Sequence, residues 1–562
     1  MALFGKKEKN KTVKEPKNSK VAKKEKQIKN KKQSAAARTL AQSIPYESVY
    51  ENGIFQLSNN RFSKSYFIPD VNFKTADDQN QYTIAELYSG FISSFDSGVD
   101  IEVTLYNKTI DEDEFQQKVF IPMKSDHLNG YREEYNRMLL EKMAGARNNL
   151  ETVKVLTVTV TADDIEMAND KFLQIDAMIS ENMTTMTQQA VAPMTLVERL
   201  NLLNSIYKQN NSFNLEEERV IDGHVSQFFS LENCKAQGIT TKEYIQPSGL
   251  SFQTNSGTVG DYIIKSFYIS TYPSWIRGSI LTDFSTIPAN MLTSVYFNSM
   301  EQGEAIKLIR RQGVNVTSSI VEAQKRAARS GYGMDLIPPN LQEARDEVDA
   351  LINQMTKDNV KLFTVTFLFT LFARSEEEMK GYEEQLNLLA NKNLVSIQPL
   401  IFQQEAGFNS ALPIGNKKIY IERLMTSNSI ASIIPFNVKE MRQEDGMYYG
   451  LNASSRNIIL YNRNSDINPN GCILGMPGAG KSFAAKREII NVALNTEDEI
   501  YVIDPEREYK PITDALGGTT IKIASGSNVY INPFDLNLNN SDDEGDPVKI
   551  KEGFIEAICE IM

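Results

Sequence analysis

Eight consecutive residues carry the plainest chemistry in this chain: Gly475, Met476, Pro477, Gly478, Ala479, Gly480, Lys481 and Ser482. They meet the spacing G-x-x-x-x-G-K-[ST] at every fixed position, a loop whose backbone N–H groups converge on phosphate oxygens. In such a loop the Lys481 ammonium is expected to reach the β- and γ-phosphates, and the Ser482 hydroxyl to ligate Mg²⁺. A nucleoside triphosphate is the implied ligand. The alternative is an ordinary glycine-rich turn, and the surrounding elements decide between the two.

Those elements read in the required order of strand, glycine turn and helix. Gly471 to Gly475 is a short apolar run of the kind that forms a buried parallel strand. From Lys481 to Asn495, Ala484, Ala485, Ile489, Val492 and Ala493 cluster on one side of a helix, whose positive end would add to the loop's pull on an anion. Beyond it, Glu499 to Asp504 reads as a hydrophobic strand ending in carboxylates, with Pro505 and Glu506 next. A carboxylate at a strand's carboxyl edge could meet Mg²⁺ or its waters. Equally, Asp504 and Pro505 could cap the strand and start a turn. Leu516-Gly-Gly518 reads as a helix end, Thr520 to Ile523 as a strand, Asn532 to Asp535 as a turn, and Ile550, Phe554, Ile558 and Ile561 as one face of a helix.

Composition narrows the class. The chain has 562 residues, room for three or four domains, and 41% hydrophobic with 23% charged residues is ordinary for a soluble globular protein. Residues 1–38 hold 13 Lys and Arg38 against Glu8, Glu15 and Glu25, so the body is more acidic than the net charge of −12 shows. That distribution excludes a protein coating nucleic acid with its whole surface. Cys234, Cys472 and Cys559 lie far apart and the only histidines are His127 and His224, which excludes zinc spacing, a disulfide framework and a Ser-His-Asp site. A reducing, cytoplasmic compartment follows. The longest uncharged apolar stretch, Leu362 to Ala373, is too short to span a bilayer and alternates like a strand.

Along the chain, four regions are expected. Residues 1–43 form a Lys-rich tail that cannot fold alone; it is either solvated, drawn to anionic lipid headgroups, or drawn to nucleic-acid phosphates. Residues 44–205 form an α/β domain with a helix at Ala76–Phe95. Its strands have Val99, Ile101, Val103 and Leu105 or Leu156, Val158 and Val160 alternating with polar residues, the mark of a half-buried strand. A helix follows with Ile165, Ala168, Phe172, Ile175 and Ile179 on one face, and the set suggests ferredoxin-like α/β layers. Residues 206–440 repeat the grammar: a strand through Phe363, Val365, Phe367, Phe369 and Leu371, a capping box at Ser375–Glu378, a helix through Met379, Leu386 and Leu389, and a strand ending at Pro399. A helical insert spans Thr317–Arg329 and Leu341–Lys357, and two basic clusters stand here, Lys307/Arg310/Arg311 and Lys325/Arg326/Arg329. Each cluster is either a solvated helix face or a nucleic-acid contact. Residues 441–562 hold the phosphate loop.

The motifs together resemble a family. Tyr448-Tyr-Gly-Leu-Asn452, Asn468-Pro-Asn470, the loop continuing to Ile489, Ile503-Asp-Pro-Glu-Arg-Glu-Tyr509 and Ile531-Asn-Pro-Phe-Asp535 are similar to the VirB-type conjugation ATPases of type IV secretion systems. Ser43-Ile-Pro-Tyr46 to Phe62-Ser-Lys-Ser-Tyr66 is similar to the family's opening. The resemblance implies a RecA-like ATPase of the FtsK–HerA branch using ATP and Mg²⁺. It would work as a homo-oligomer, a hexamer, at the inner face of the cell membrane, with other secretion-channel components as partners. Residues Gly475 to Ser482 would then hold the nucleotide, with Ser482 and Asp504 on the metal and Lys481, Ser482 and Glu506 in catalysis. It also implies an apolar run ending in Asp-Glu and an arginine reaching a neighbour's nucleotide, both expected after Met562. As given, the chain is therefore expected to bind ATP and not to turn it over well.

Three functions stay in play at this level. One is a motor ATPase that energises channel assembly or DNA transfer. Another is a non-hydrolysing protein docking onto a membrane channel. The third is an FtsK/HerA-like DNA translocase, supported by the two basic clusters.

Overall fold

The computed structural model describes residues 39–561 apart from 110–115, 117–118, 146–149, 210–218, 222–223, 227–234, 237, 274–277, 279, 330–337, 358–359, 439–440, 442, 444–445, 454–456, 525–526, 528–531 and 536–546. The basic segment 1–38 and its expected lipid or nucleic-acid attraction lie outside the described residues, as do Cys234 and Ile531. Leu40–Ser43, at the end of the expected tail, form a helical turn capped by Thr39.

The longer helices are, in chain order, α1 (Asp78–Ser93), α2 (Asn129–Gly145), α3 (Ile165–Thr187), α4 (Leu196–Lys208), α5 (Gln302–Arg329), α6 (Pro339–Lys357), α7 (Glu376–Lys392), α8 (Gln404–Ala411), α9 (Lys481–Asn495) and α10 (Pro547–Ile561). The chain separates into two compact units. One takes the chain to Lys118, 143–442 and 450–459, and the other takes 119–142, 443–449 and 460–562.

The first unit is built on a single sheet of twelve strands. They are β1 (Ser48–Val49), β2 (Phe55–Ser58), β3 (Arg61–Phe67), β4 (Asp100–Thr109), β5 (Leu150–Thr161), β6 (Leu250–Phe252), β7 (Gly257–Val259), β8 (Tyr262–Thr271), β9 (Met291–Ser299), β10 (Leu362–Ala373), β11 (Ser396–Pro399) and β12 (Arg423–Thr426). The order is β1-β2-β3-β5-β4-β9-β10-β8-β7-β6, with β11 on β8 and β12 on β10. Every ladder is antiparallel. Strands from 44–205 and from 206–440 meet where β4 pairs β9, with Val103 opposite Val295. The fold is therefore mixed α/β on one large antiparallel sheet, where ferredoxin-like layers were expected. Each layer's exposed edge is satisfied by the other's backbone groups.

The expected alternation fills one face of this sheet. Ile101, Val103, Leu105, Leu156, Val158, Val160, Phe363, Val365, Phe367 and Phe369 pack under Phe91 of α1, Phe172 of α3 and Leu386 of α7. Ser375 Oγ accepts from Glu378 N–H at 3.1 Å, starting α7 as read, but the Glu378 carboxylate accepts from Arg374 N–H in place of the N-cap's own amide. The opposite face corrects an expectation. The intervening residues Glu102, Thr104, Thr157, Thr159, Ser294 and Thr366 are buried too. Residues from α8 to Gly415 lie across them, and backbone groups there pair with the sheet's side chains. Ser294 donates to Ala411 O at 2.8 Å, Tyr296 to Ser410 O at 2.7 Å and Thr157 to Pro413 O at 3.2 Å, while Glu102 accepts from Gly415 N–H at 2.9 Å. Glu102, Thr157, Thr159 and Ser294 are buried because a backbone ribbon satisfies them, and Thr104 bonds Ser294 Oγ, whereas Thr366 Oγ1 is buried with no hydrogen-bond partner among the described residues.

In the second unit the helix after the phosphate loop spans Lys481–Asn495, as the pattern predicts, and α10 covers the expected final helix. The helix end at Leu516-Gly-Gly518 also forms: Lys510–Ala515 is helical, Gly517 has φ +76° and Gly518 N–H returns to Thr513 O at 2.8 Å. Asp535 N–H bonds Asn532 O at 3.2 Å, closing the expected turn. The strands expected at Gly471–Gly475, Glu499–Asp504 and Thr520–Ile523 do not form. Those residues sit in no ladder, and Leu474, Tyr501, Ile503 and Ile523 are exposed. An extended segment without a hydrogen-bonded neighbour is not a strand.

Candidate phosphate site

Gly478 and Gly480 take φ of +81° and +90°, the left-handed region in which a β-carbon crowds the following carbonyl. A β-carbon at either would face open space, so backbone conformation alone explains glycine there. At Gly475 the reason is proximity: a β-carbon would come within 3.3 Å of Lys481 Cγ and 3.4 Å of Ala479 Cβ. The Lys481 stem thus lies back along the loop that precedes it. Ala479 N–H closes the loop onto Met476 O at 3.1 Å, and Ala484 N–H bonds Gly480 O at 2.9 Å, the first bond of α9.

Gly480 is the N-cap of α9 and brings no side chain to its first-turn amides. The loop residues from Gly471 to Lys481 are exposed, with Met476 and Pro477 on the rim and Ser482 half-buried at the first turn. Unpaired amides at a helix amino terminus beside a lysine make an anion site. The donor set fits a polyphosphate with Mg²⁺: backbone N–H groups and Lys481 for the oxygens, the Ser482 hydroxyl for the metal. Among the described residues no cluster of three or more His, Cys, Asp or Glu could hold a metal by itself.

Asp504 is committed to its own turn. Its carboxylate accepts Tyr509 N–H at 2.9 Å, and this bond, with further amides from Arg507 and Glu508, holds its pKa below the usual carboxylate range. Arg507 at φ +61° gives the chain its left-handed reversal. The turn is tied to the loop helix because Lys486 Nζ sits 5.3 Å above the Tyr509 ring. Glu506 is exposed beside it. Among the described residues no hydrogen bond or ion pair joins Asp504 or Glu506 to Lys481 or Ser482.

The far end of α9 is held by residues that belong to no sequence motif. Arg132 of α2 is 1% exposed; its Nε–H donates to Leu494 O at 3.1 Å, and its Nη groups clasp Asp126 at 2.5 and 2.6 Å. Those bonds bring the Asp126 carboxyl down to about 2. Lys124 Nζ reaches Thr496 O at 3.2 Å and Glu497 at 2.6 Å. Two cations therefore meet the negative end of the helix whose positive end faces the loop. Tyr135 donates to Asn491 Oδ1, and Asn491 and Arg487 both donate to Tyr448 O at 3.0 Å. Ile121, Leu128 and Leu494 form the small core beneath, with Ile490 and Leu516 against it. Arg463 pairs with Glu488 on the same helix, and Tyr449 OH donates to Glu488 at 3.2 Å. The sequence of residues 119–142 does not signal this contact, since Arg132 and Tyr135 stand 362 and 356 positions from their partners on α9.

No curated protein matches the chain. Residues 449–541, which include the loop, α9 and the Asp504 turn, match the family model described as Helicase HerA, central domain, a family of P-loop ATPases related to FtsK- and HerA-type motors.

Proposed function

We propose that the chain is the nucleotide-binding subunit of an ATP-driven motor of the HerA–FtsK kind, acting on DNA. The carrying observation is the open glycine loop running straight into the uncapped amino terminus of α9, with Lys481 folded back along it. The loop and helix are the opening elements of a RecA-like core, and the working form is an oligomer of six by resemblance. In hydrolysis a water attacks the terminal phosphorus of ATP while the bond to the leaving oxygen breaks. Lys481 and the loop amides stabilise the charge that grows on the phosphate oxygens. Mg²⁺, held through the Ser482 hydroxyl, would supply further neutralisation there. Asp504 keeps the turn that presents Glu506, the carboxylate we assign to orienting the water.

A second reading, a VirB-type conjugation motor at the inner membrane face, draws on the ordered motifs at Tyr448–Asn452, Asn468–Asn470 and Ile503–Tyr509. There the energised step is channel assembly or substrate transfer, with secretion-channel components as partners.

Titrating the purified chain with a fluorescent ATP analogue and Mg²⁺ tests the shared claim. Lys481→Ala is expected to weaken binding about tenfold or more, and unchanged affinity would overturn the site. Phosphate release stimulated by DNA favours the translocase, release indifferent to DNA favours the second reading, and binding without turnover leaves a non-hydrolysing role.

A further inference from the structure

Helices α5 and α6 pack against each other through apolar faces. Ala305 and Ile309 of α5 and Met355 of α6 close a core with Leu362, flanked by Ile306, Val348, Leu351 and Ile352. The approach is close at Gly313, where a β-carbon would lie 3.0 Å from Val348 Cγ1. Two helices joined in this way turn their remaining faces in opposite directions, and here the two faces carry opposite charge.

On α5, Lys307, Arg311, Lys325 and Arg329 fall on one exposed stripe at helical spacing, with Arg310 and Arg326 beside it. Between the two clusters Val314 is 63% exposed and Val321 42%. On α6, Glu343, Asp346, Glu347 and Asp349 are all exposed, opposite the Val348–Met355 seam. Among the described residues, the only ion pair involving these charges is Arg326 with Glu322, at 3.2 Å. The hairpin is therefore a two-sided slab, net basic on the α5 face, where Glu304 and Glu322 are the counter-charges, and net acidic on the α6 face, where Arg345 and Lys357 are.

We infer that this slab is a self-association surface: the basic face of α5 receives the acidic face of α6 from a second copy of this chain. The contact joins two different patches, so it is heterologous, and repeating it builds a ring or an open chain of subunits. Opposite charges steer the encounter and set its register, and Val314 and Val321 supply an apolar centre inside the charged rim. Of the two basic clusters, Lys307/Arg310/Arg311 is the better anchor, because Ala305 and Ile309 root that end of α5 in the core beside Leu362. A rooted cluster loses little freedom on binding. Duplex DNA is the competing occupant of the basic face. The acidic face of α6 and the paired Glu322 weaken its hold, whereas both features suit a second copy. The inference does not rest on the nucleotide site.

Sedimentation velocity of the full chain, without nucleotide or DNA, tests it at low and high salt. Wild type is expected to associate with rising concentration, and to do so less in roughly 500 mM salt than in roughly 50 mM. Arg310→Glu/Arg311→Glu and, separately, Asp346→Lys/Glu347→Lys should each weaken association about tenfold or more. An equimolar mixture of the two variants should regain it, because each variant then meets its complement. All four positions are exposed, and recovery in the mixture itself shows that both variants are folded. A wild type that stays monomeric, reversals without effect, or a mixture that fails to recover overturns the inference. So does loss of 30-base-pair duplex binding in the α5 variant while association is unchanged.

Discussion

Arg132 donates its Nε–H to the carbonyl oxygen of Leu494 across 3.1 Å, although 362 positions separate them in the chain. Residues 119–142, which lie in sequence between β4 and β5, are thus part of the unit that carries the phosphate loop. The unit that carries the glycine loop is discontinuous, and its loop helix is gripped at the end opposite the loop. A helix fixed at its carboxyl end holds its amino-terminal amides in place, which is what a preorganised phosphate site requires.

Arg132→Ala removes the donor to Leu494 O and leaves Asp126 without its partner. A loss of about 1–3 kcal/mol is expected for such a buried charged hydrogen-bonding group. It should be read as faster hydrogen exchange at the carboxyl end of α9 and weaker binding of a fluorescent ATP analogue. Arg132→Lys keeps a cation at the helix end and should recover part of both. Exchange and affinity identical to wild type would show that the grip does not reach the loop.

Gly480→Ala tests the loop from the other side. A β-carbon there meets nothing, so any penalty comes from holding alanine at φ +90°. About 1–2 kcal/mol is expected, seen as roughly a tenfold loss of nucleotide affinity with the unfolding of the sheet unit unchanged. Equal affinity would mean that the loop binds in another conformation.

The sequence made α9 legible to the residue, because the loop signature fixes where the helix must start and its apolar side runs unbroken to Asn495. The apolar face of the sheet was legible for the same local reason, an unbroken period of two. Its other face was not. Thr157 and Thr159 are the residues a solvent-facing side would carry, and their burial is offset by the carbonyls of Pro413 and Gly415, at 3.2 and 3.3 Å, and for Thr157 by Ser65 Oγ at 2.9 Å. Strand-like runs at Gly471–Gly475 and Glu499–Asp504 misled in the opposite way, since a strand is defined by its neighbour as much as by its residues. Arg132 and Tyr135 were silent because no spacing rule links a helix near residue 130 to one near residue 490.

Asp504 permits a substitution that separates turn from metal. Asparagine keeps an oxygen for Tyr509 N–H and loses the charge, whereas alanine loses both. With its carboxylate engaged by backbone amides, Asp504→Asn is expected to keep Mg²⁺-dependent nucleotide affinity within about twofold, and Asp504→Ala to loosen the turn, read as faster hydrogen exchange at Tyr509 N–H. A large Mg²⁺-dependent loss in Asp504→Asn would instead make the carboxylate a metal ligand.

Glu102 supplies a pH test of the sheet unit. It lies in the centre of the sheet among the hydroxyls of Thr104, Ser294 and Tyr296, and burial raises its pKa from 4.5 to about 8, against the lowering effect of Gly415 N–H. Between those two values the folded chain keeps a proton that the unfolded chain has released. Stability from this group is therefore complete below about pH 4.5 and is lost as pH rises toward 8. Glu102→Gln holds the same acceptor for Gly415 N–H without a titrating proton. The unfolding midpoint of wild type should fall between about pH 5 and pH 8.5, while that of the variant falls less, so that the variant is the more stable protein at the alkaline end. Parallel midpoints across that range would place a neutralising partner beside Glu102 and remove it as the source of the slope.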